Sequence, residues 1–171
     1  MPTSKSSQFL PVFSSQPRAL ITGGNGFVGS HLAERLSELG FDLFLLLRQT
    51  SKTENISHLK YTPIYGDLRD TEPLKDIVAQ VDYIFHCAGL VKATSSQAFM
   101  EVNAGATEKL VTLVAAHGKN IKRFIFISTH AAAGPCNDKT PKIESDTPNP
   151  VSDYGRSKLA MEKLFSPERD A

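Results

Sequence analysis

Short apolar runs alternate with amphipathic stretches along most of the chain. RALITGG (Arg18–Gly24) is a compact apolar run ending in glycines and predicts a buried strand. In the segment that follows, Val28, Leu32, Leu36 and Leu39 recur at helical spacing, and Gly40 marks a C-terminal stop. DLFLLLR is apolar without alternation, the pattern of a strand covered on both faces. YTPIYGD predicts a weaker third strand, LKDIVAQ a short helix and DYIFHCAG a fourth strand. FMEVNAGATEKLVTLVAAHG predicts a long helix with Val102, Ala106, Leu110, Leu113 and Val114 on one side, and RFIFIST a fifth strand. The stretch from His130 to Asp153 carries Pro135, Pro141, Pro148 and Pro150 among turn formers and is expected to be a loop. A last helix follows, holding DYGRSKLAME.

Strands alternating with helices predict the α/β class, a Rossmann-type doubly wound parallel sheet of about five strands. Right-handed crossovers bring the C-terminal end of every strand to one edge of such a sheet, where ligands bind. Residues 1–16 lack the long apolar core of a secretory signal and are expected to be a flexible leader, with the α/β domain at 17–171.

Composition narrows the functional classes. The net charge is +1 with no basic block, which points away from nucleic acid and from anionic membranes. LFLLL is too short to span a bilayer. Two cysteines, Cys87 and Cys136, suit a reducing compartment, so a cytoplasmic location is expected. His86, Cys87, His117, His130 and Cys136 have no metal-ligand spacing, and no metal site is expected.

TGGNGFVG (Thr22–Gly29) lies between the first strand and the first helix. A bare glycine pattern is a weak signal; in a strand–turn–helix it has a mechanism. One glycine makes the tight turn, Gly26 lets backbone approach a pyrophosphate, and Gly29 permits close helix–strand packing. The helix N-terminus then offers free N–H groups and a positive dipole end. An acid at the end of the second strand would bond a ribose 2′-OH, but that end reads Leu46-Leu47-Arg48-Gln49. Asp42 sits at the start of the strand, about 15–20 Å away by strand rise. Arg48 suits a 2′-phosphate, so NADP is expected, with NAD as the alternative. Tyr154 and Lys158 stand one helical turn apart, and that spacing alone fits either catalysis or an ordinary surface pair.

Taken in order, TGGNGFVG, YGDLRD, HCAGLV, VNAGAT, FISTHAAAGP and ESDTPNPVSDYGRSKLAMEKL resemble the motifs of the extended short-chain dehydrogenase/reductase family, the NAD(P)-dependent epimerase/dehydratase group, over residues 18–166. The resemblance implies cofactor contacts at Gly23, Gly26, Phe27, Val28 and Gly29, at Arg48, at Asp67 and Leu68 beside the adenine, and at Cys87, Ala88 and Gly89. It implies Asn103 as the structural asparagine, Thr129 (after Ser128) as the catalytic hydroxyl, and Tyr154 and Lys158 as the acid/base pair that also meets the cofactor. A phenol near pKa 10 is a poor base at neutral pH, and a lysine one turn away favours the phenolate. Thr129 would align the substrate oxygen with Tyr154.

Ala133 stands where many sugar-nucleotide members carry tyrosine, and LLLRQTS and AAAGP are closer to the dihydroflavonol-reductase and 3β-hydroxysteroid-dehydrogenase branch. The family continues beyond the tyrosine helix with further strands and a substrate lobe. The expectation is therefore an N-terminal part, truncated before those elements and inactive alone, of an oxidoreductase or epimerase acting on a small-molecule hydroxyl or carbonyl, homodimeric when complete. A non-catalytic redox-sensing module and an inert remnant are the alternatives.

Overall fold

The computed structural model describes residues 16–136 and 140–165. Residues 1–15 of the expected leader, and the chain end at Ala171, lie outside the described residues. The sheet has five strands: β1 (Arg18–Thr22), β2 (Asp42–Leu47), β3 (Thr62–Tyr65), β4 (Tyr83–His86) and β5 (Arg123–Phe126). Every pairing is parallel and the order is β3-β2-β1-β4-β5. The chain thus winds outward from β1 in one direction, then returns to its other side, which leaves a topological switch point between β1 and β4. This is the Rossmann-like architecture expected from the alternating pattern.

The period of two in a strand sorts the core into two halves. Ala19 and Ile21 of β1 pack with Leu43, Leu45 and Leu47 against Ala33 and Leu36 of helix α1 (Phe27–Glu38). Leu20 faces the other way and packs with Leu46 and Ile84. That half is covered by Val78 of the short helix α2 (Lys75–Val78) and by Leu110, Leu113 and Val114 further along the chain. The continuous apolar runs of β1 and β2 follow from this double cover.

The segments that follow β4 and β5 carry the remaining helices. Helix α3 (Ser96–Phe99) is capped by the Ser95 hydroxyl, which accepts from the Ala98 N–H at 3.2 Å. It passes through a π-helical turn at Met100–Gly105 into α4 (Ala106–His117). Helix α5 (His130–Ala133) lies inside the stretch expected to be a loop, and α6 (Asp153–Glu162) carries Tyr154 and Lys158.

Several strands are shorter than their apolar runs. β3, β4 and β5 stop at Tyr65, His86 and Phe126, two or three residues before the runs expected to end at Asp67, Gly89 and Thr129. In each case the chain leaves the ladder to build the edge of the site while keeping a strand-like composition. Among the described residues no helix is long and apolar enough to cross a membrane.

Candidate functional site

The C-terminal ends of β1 to β4 surround a cleft of about 240 Å³. Gly23 and Asn25 enter it from β1, and Arg48 and Ser51 from β2. Gly66, Asp67, Leu68 and Arg69 enter from β3, Ala88, Gly89 and Leu90 from β4, and Val102 and Ala106 from the helix opposite.

The glycine turn forms one wall. Gly23 has φ +70°, a left-handed backbone, and a Cβ there would meet the Ala88 nitrogen at 2.7 Å. The Gly26 N–H bonds the Gly23 carbonyl at 3.0 Å and closes the turn. A Cβ on Gly29 would fall inside the van der Waals shell of the Gly23 carbonyl oxygen, so only glycine lets α1 begin this close to β1. Gly26 is the N-cap of this 12-residue helix and brings no side chain to it, nor does the first turn carry an acid. The first-turn amides and the dipole end are left for a ligand. Phe27 and Val28 are 80% and 53% exposed and lie outside the cleft lining.

At β2, Arg48 holds a tight turn through its backbone: its N–H bonds the Ser51 hydroxyl at 3.0 Å, and its carbonyl accepts from the Ser51 N–H at 2.8 Å. Its guanidinium has no hydrogen bond or ion pair among the described residues. Asp67 is committed elsewhere. Arg69 grips its carboxylate with Nε at 2.8 Å and Nη2 at 2.9 Å, which holds the acid down at about 2. Arg48 is therefore the cation of the cleft left open to an anion. Asn25 donates to the Lys52 carbonyl at 3.1 Å and accepts on its own carbonyl from Asn55 at 3.3 Å, tying the glycine turn to the β2–β3 loop.

Beyond Gly89 the site continues into α6. Lys158 is only 4% exposed. Its ammonium donates to the Ile127 carbonyl at 2.7 Å and lies 4.4 Å from the centre of the Phe126 ring. Among the described residues no carboxylate pairs with it. Burial therefore pushes it down to about 8, against a smaller opposing pull from Glu162 one turn on. Glu162 is itself bonded by the Ser128 hydroxyl. A Cβ on Gly89 would lie 3.7 Å from the Lys158 ammonium and 3.6 Å from the Asn103 carboxamide oxygen, so the cation borders the cleft. Cys87 is half-buried against the α1 side of the core, outside the cleft lining, and burial raises its thiol to about 11.

Asn103, in the π-turn, is buried and fully used. Its oxygen accepts from the Leu90 N–H at 2.6 Å, and its nitrogen donates to the Leu90 carbonyl at 3.0 Å and the Ser157 hydroxyl at 2.9 Å. Thr129 caps α5, its hydroxyl oxygen accepting from the Ala131 N–H at 3.3 Å, which leaves its own proton to donate. Gly155 has no side chain where the Ala131 carbonyl presses in, so α5 packs directly on α6 beside Tyr154. The Tyr154 ring lies 6.1 Å from that of Phe99, and its hydroxyl has no hydrogen-bond partner among the described residues.

The structure thus gathers Gly23, Arg48, Asp67, Leu68, Ala88 and Gly89 around one cleft, and Asn103, Thr129, Tyr154 and Lys158 on the packed helices adjoining it. Sequence reasoning missed Asn25, Ser51 and Arg69. Asn25 sits inside the glycine motif and was within reach; Ser51 and Arg69 are placed by turns that no periodicity announces.

The family model described as the NAD dependent epimerase/dehydratase family matches residues 19–170. A 4-hydroxy-2-methyl-3-oxo-4-farnesyl-3,4-dihydroquinoline-1-oxide ketoreductase of Stigmatella aurantiaca is 31% identical over 86% of this chain and 44% of its own length. A UDP-glucose 4-epimerase of Yersinia pestis is 33% identical over 85% of this chain and 46% of its own. The crystal structure of UDP-glucose 4-epimerase from Bifidobacterium longum in complex with NAD+ and UDP superposes with a TM-score of 0.74 at 27% identity, covering 86% of this chain and 48% of that one. The chain spans under half the length of these relatives.

Burying Lys158 has a measurable cost. The folded chain sheds this proton near pH 8 and the unfolded chain near 10.5, so native stability rises with pH between the two and carries the full penalty below pH 8. Lys158→Met is expected to raise stability at pH 7 by on the order of 1–3 kcal/mol, less the lost Ile127 hydrogen bond, and the gain should shrink from pH 8 to 10.5. Urea unfolding of both proteins across that range checks it; a variant less stable than the parent at pH 7 contradicts the assignment.

Proposed function

Because the chain belongs to the NAD dependent epimerase/dehydratase family, we propose that it binds a nicotinamide dinucleotide in this cleft and serves an oxidoreductase or epimerase acting on a hydroxyl or carbonyl group of a small molecule. The observation that carries the reading is the meeting, at Gly89, of the glycine-turn cleft with the buried Lys158 ammonium.

The residues present fit such a cofactor. The pyrophosphate would lie over Gly23, Gly26 and Gly29 against the uncapped N-terminus of α1, and the adenine beside Asp67 and Leu68. Ala88 and Gly89 would form the floor, with Lys158 at the nicotinamide ribose. The open guanidinium of Arg48 favours a ribose 2′-phosphate, hence NADP over NAD. The relatives whose structures hold NAD+ support the dinucleotide class and leave this choice to Arg48.

When bound, the nicotinamide supplies the redox step. The chain's own residues handle the proton and the geometry. Tyr154 gives a proton to, or takes one from, the substrate oxygen; Lys158, on the same helix face, favours the phenolate. Thr129 donates its free hydroxyl proton to that oxygen and sets it against Tyr154. Asn103 holds the cleft segment at Leu90 to α6 through Ser157. A non-catalytic sensing module would need the cleft and Lys158 as a ribose contact, but has no use for the Thr129 and Tyr154 hydroxyls, which have protons left to give among the described residues. Those two hydroxyls favour the catalytic reading.

Fluorescence titration of the protein with NADPH and NADH tests the binding. NADPH should bind more tightly, and Arg48→Asp should reverse the order. Equal affinities untouched by Arg48→Asp would remove the 2′-phosphate argument, and flat titrations with both would remove the reading itself. In the full-length enzyme that carries this chain, Tyr154→Phe should lower the rate on the carbonyl compounds or nucleotide sugars it turns over by about 10²- to 10⁴-fold while leaving dinucleotide affinity within about twofold. Retained turnover would show that Tyr154 is not the proton donor.

A further inference from the structure

We propose that His86 is a positioning residue. It is held as one tautomer, with the proton on Nε2, and it links through Thr22 and Thr107 the two backbone anchors of the cleft segment Ala88–Leu90. The proposal deepens the dinucleotide reading and rests on it only for the identity of the cleft's ligand.

His86 ends β4 and is 1% exposed. Its Nε2 lies 2.8 Å from the Thr107 hydroxyl and its Nδ1 2.6 Å from the Thr22 hydroxyl. Thr107 has one hydroxyl proton, and that proton goes to the Asn103 main-chain carbonyl at 2.6 Å, a group that only accepts. The Thr107 oxygen must therefore accept from His86, and Nε2 carries the hydrogen. Burial, helped by the Lys158 charge, brings the ring down to about 4, so it is neutral at ordinary pH and Nδ1 holds a lone pair. Thr22 then donates its hydroxyl proton to Nδ1. Its oxygen is left to accept from the Ala88 N–H at 3.3 Å.

The direction of every bond in the chain is thus dictated by one carbonyl in the π-turn. Among the described residues no ionisable side chain bonds to the ring. β1 presents Thr22, α4 presents Thr107, and β5 presents the Phe124 and Phe126 rings at 6.2 and 6.1 Å. Lys158 of α6 and Cys87, next in the chain, are the nearest titratable neighbours.

The functional consequence lies at the two ends. Ala88 is held by Thr22, and Leu90 is held through both its N–H and its carbonyl by the Asn103 side chain. Asn103 also reaches Ser157, whose hydroxyl donates to the Tyr154 carbonyl at 2.8 Å. Gly89, between the anchors, faces the cleft beside Lys158. His86 fixes the cofactor cradle and the tyrosine helix to each other from beneath, without touching either ligand.

Nitrogen-15 spectra of the unliganded protein test the tautomer directly. His86 should show a protonated Nε2 and a bare Nδ1, unchanged from pH 5 to 8; a proton on Nδ1, or titration in that range, would overturn the proposal. Thr107→Val keeps the side-chain shape but leaves Nε2–H without its acceptor. It should speed hydrogen exchange at the Ala88 amide by about tenfold, and Thr107→Ser should restore the parent rate. Among the described residues no hydrogen bond joins Thr107 to Ala88, so a purely local role would leave that amide unmoved, which would equally overturn the link. Neither readout uses a dinucleotide, so a failure here is separable from a failure of the functional reading.

Discussion

How closely helix α1 can start to strand β1 decides what the edge of this sheet can do. The Gly23 carbonyl sits where a side chain on Gly29 would be, and Gly23 turns with a left-handed backbone against the Ala88 nitrogen. A methyl group on Gly29 would push the helix away from the strand and carry its free N–H groups out of line with the cleft, and one on Gly23 would drive the turn against the backbone that leaves β4 at Cys87 and Ala88. With both positions bare, the helix dipole, the β1–β4 switch point and the exits of β2 and β3 converge on one volume. The rest of the candidate site is built outward from that contact.

The same edge of the sheet buries an unusual share of polar side chains. Thr22, His86, Asn103, Thr107, Ser157 and Lys158 are all buried at this edge, and every buried side-chain polar atom among the described residues has a partner. The uncharged members are satisfied by one another and by the backbone of Ala88, Leu90, Asn103 and Tyr154, which is inexpensive and fixes a single geometry. Lys158 is different: one carbonyl and one ring face do not replace its hydration. A group kept buried against stability marks the cleft beside it as a candidate site.

Much of this was legible in the sequence, and the failures have a common physical cause. Continuous apolar runs revealed β1 and β2 because both faces are covered. The glycine turn was legible because its residue types answer to backbone geometry rather than to burial. Strand ends were misjudged at Gly66–Asp67, Cys87–Gly89 and Ile127–Thr129, where residues that have left the ladder still read as strand. Helix α5 was hidden in four residues, and the π-turn around Asn103 changes hydrogen-bond register without any change in composition. The role of His86 could not be read at all. Its partners are 64 and 21 residues away, and only the fold brings Thr22 and Thr107 to opposite sides of one ring.

The central claim is that the C-terminal edge of the sheet is a dinucleotide cradle opening onto Lys158. Amide spectra of nitrogen-15-labelled protein, recorded while NADPH is added, test it most directly. Saturable shifts are expected at Gly23, Gly26, Gly29, Arg48, Leu68, Ala88, Gly89 and Lys158, with the opposite edge of the sheet around Arg18, Asp42 and Asp82 silent. Shifts confined to that opposite edge, or none at saturating dinucleotide, would contradict it.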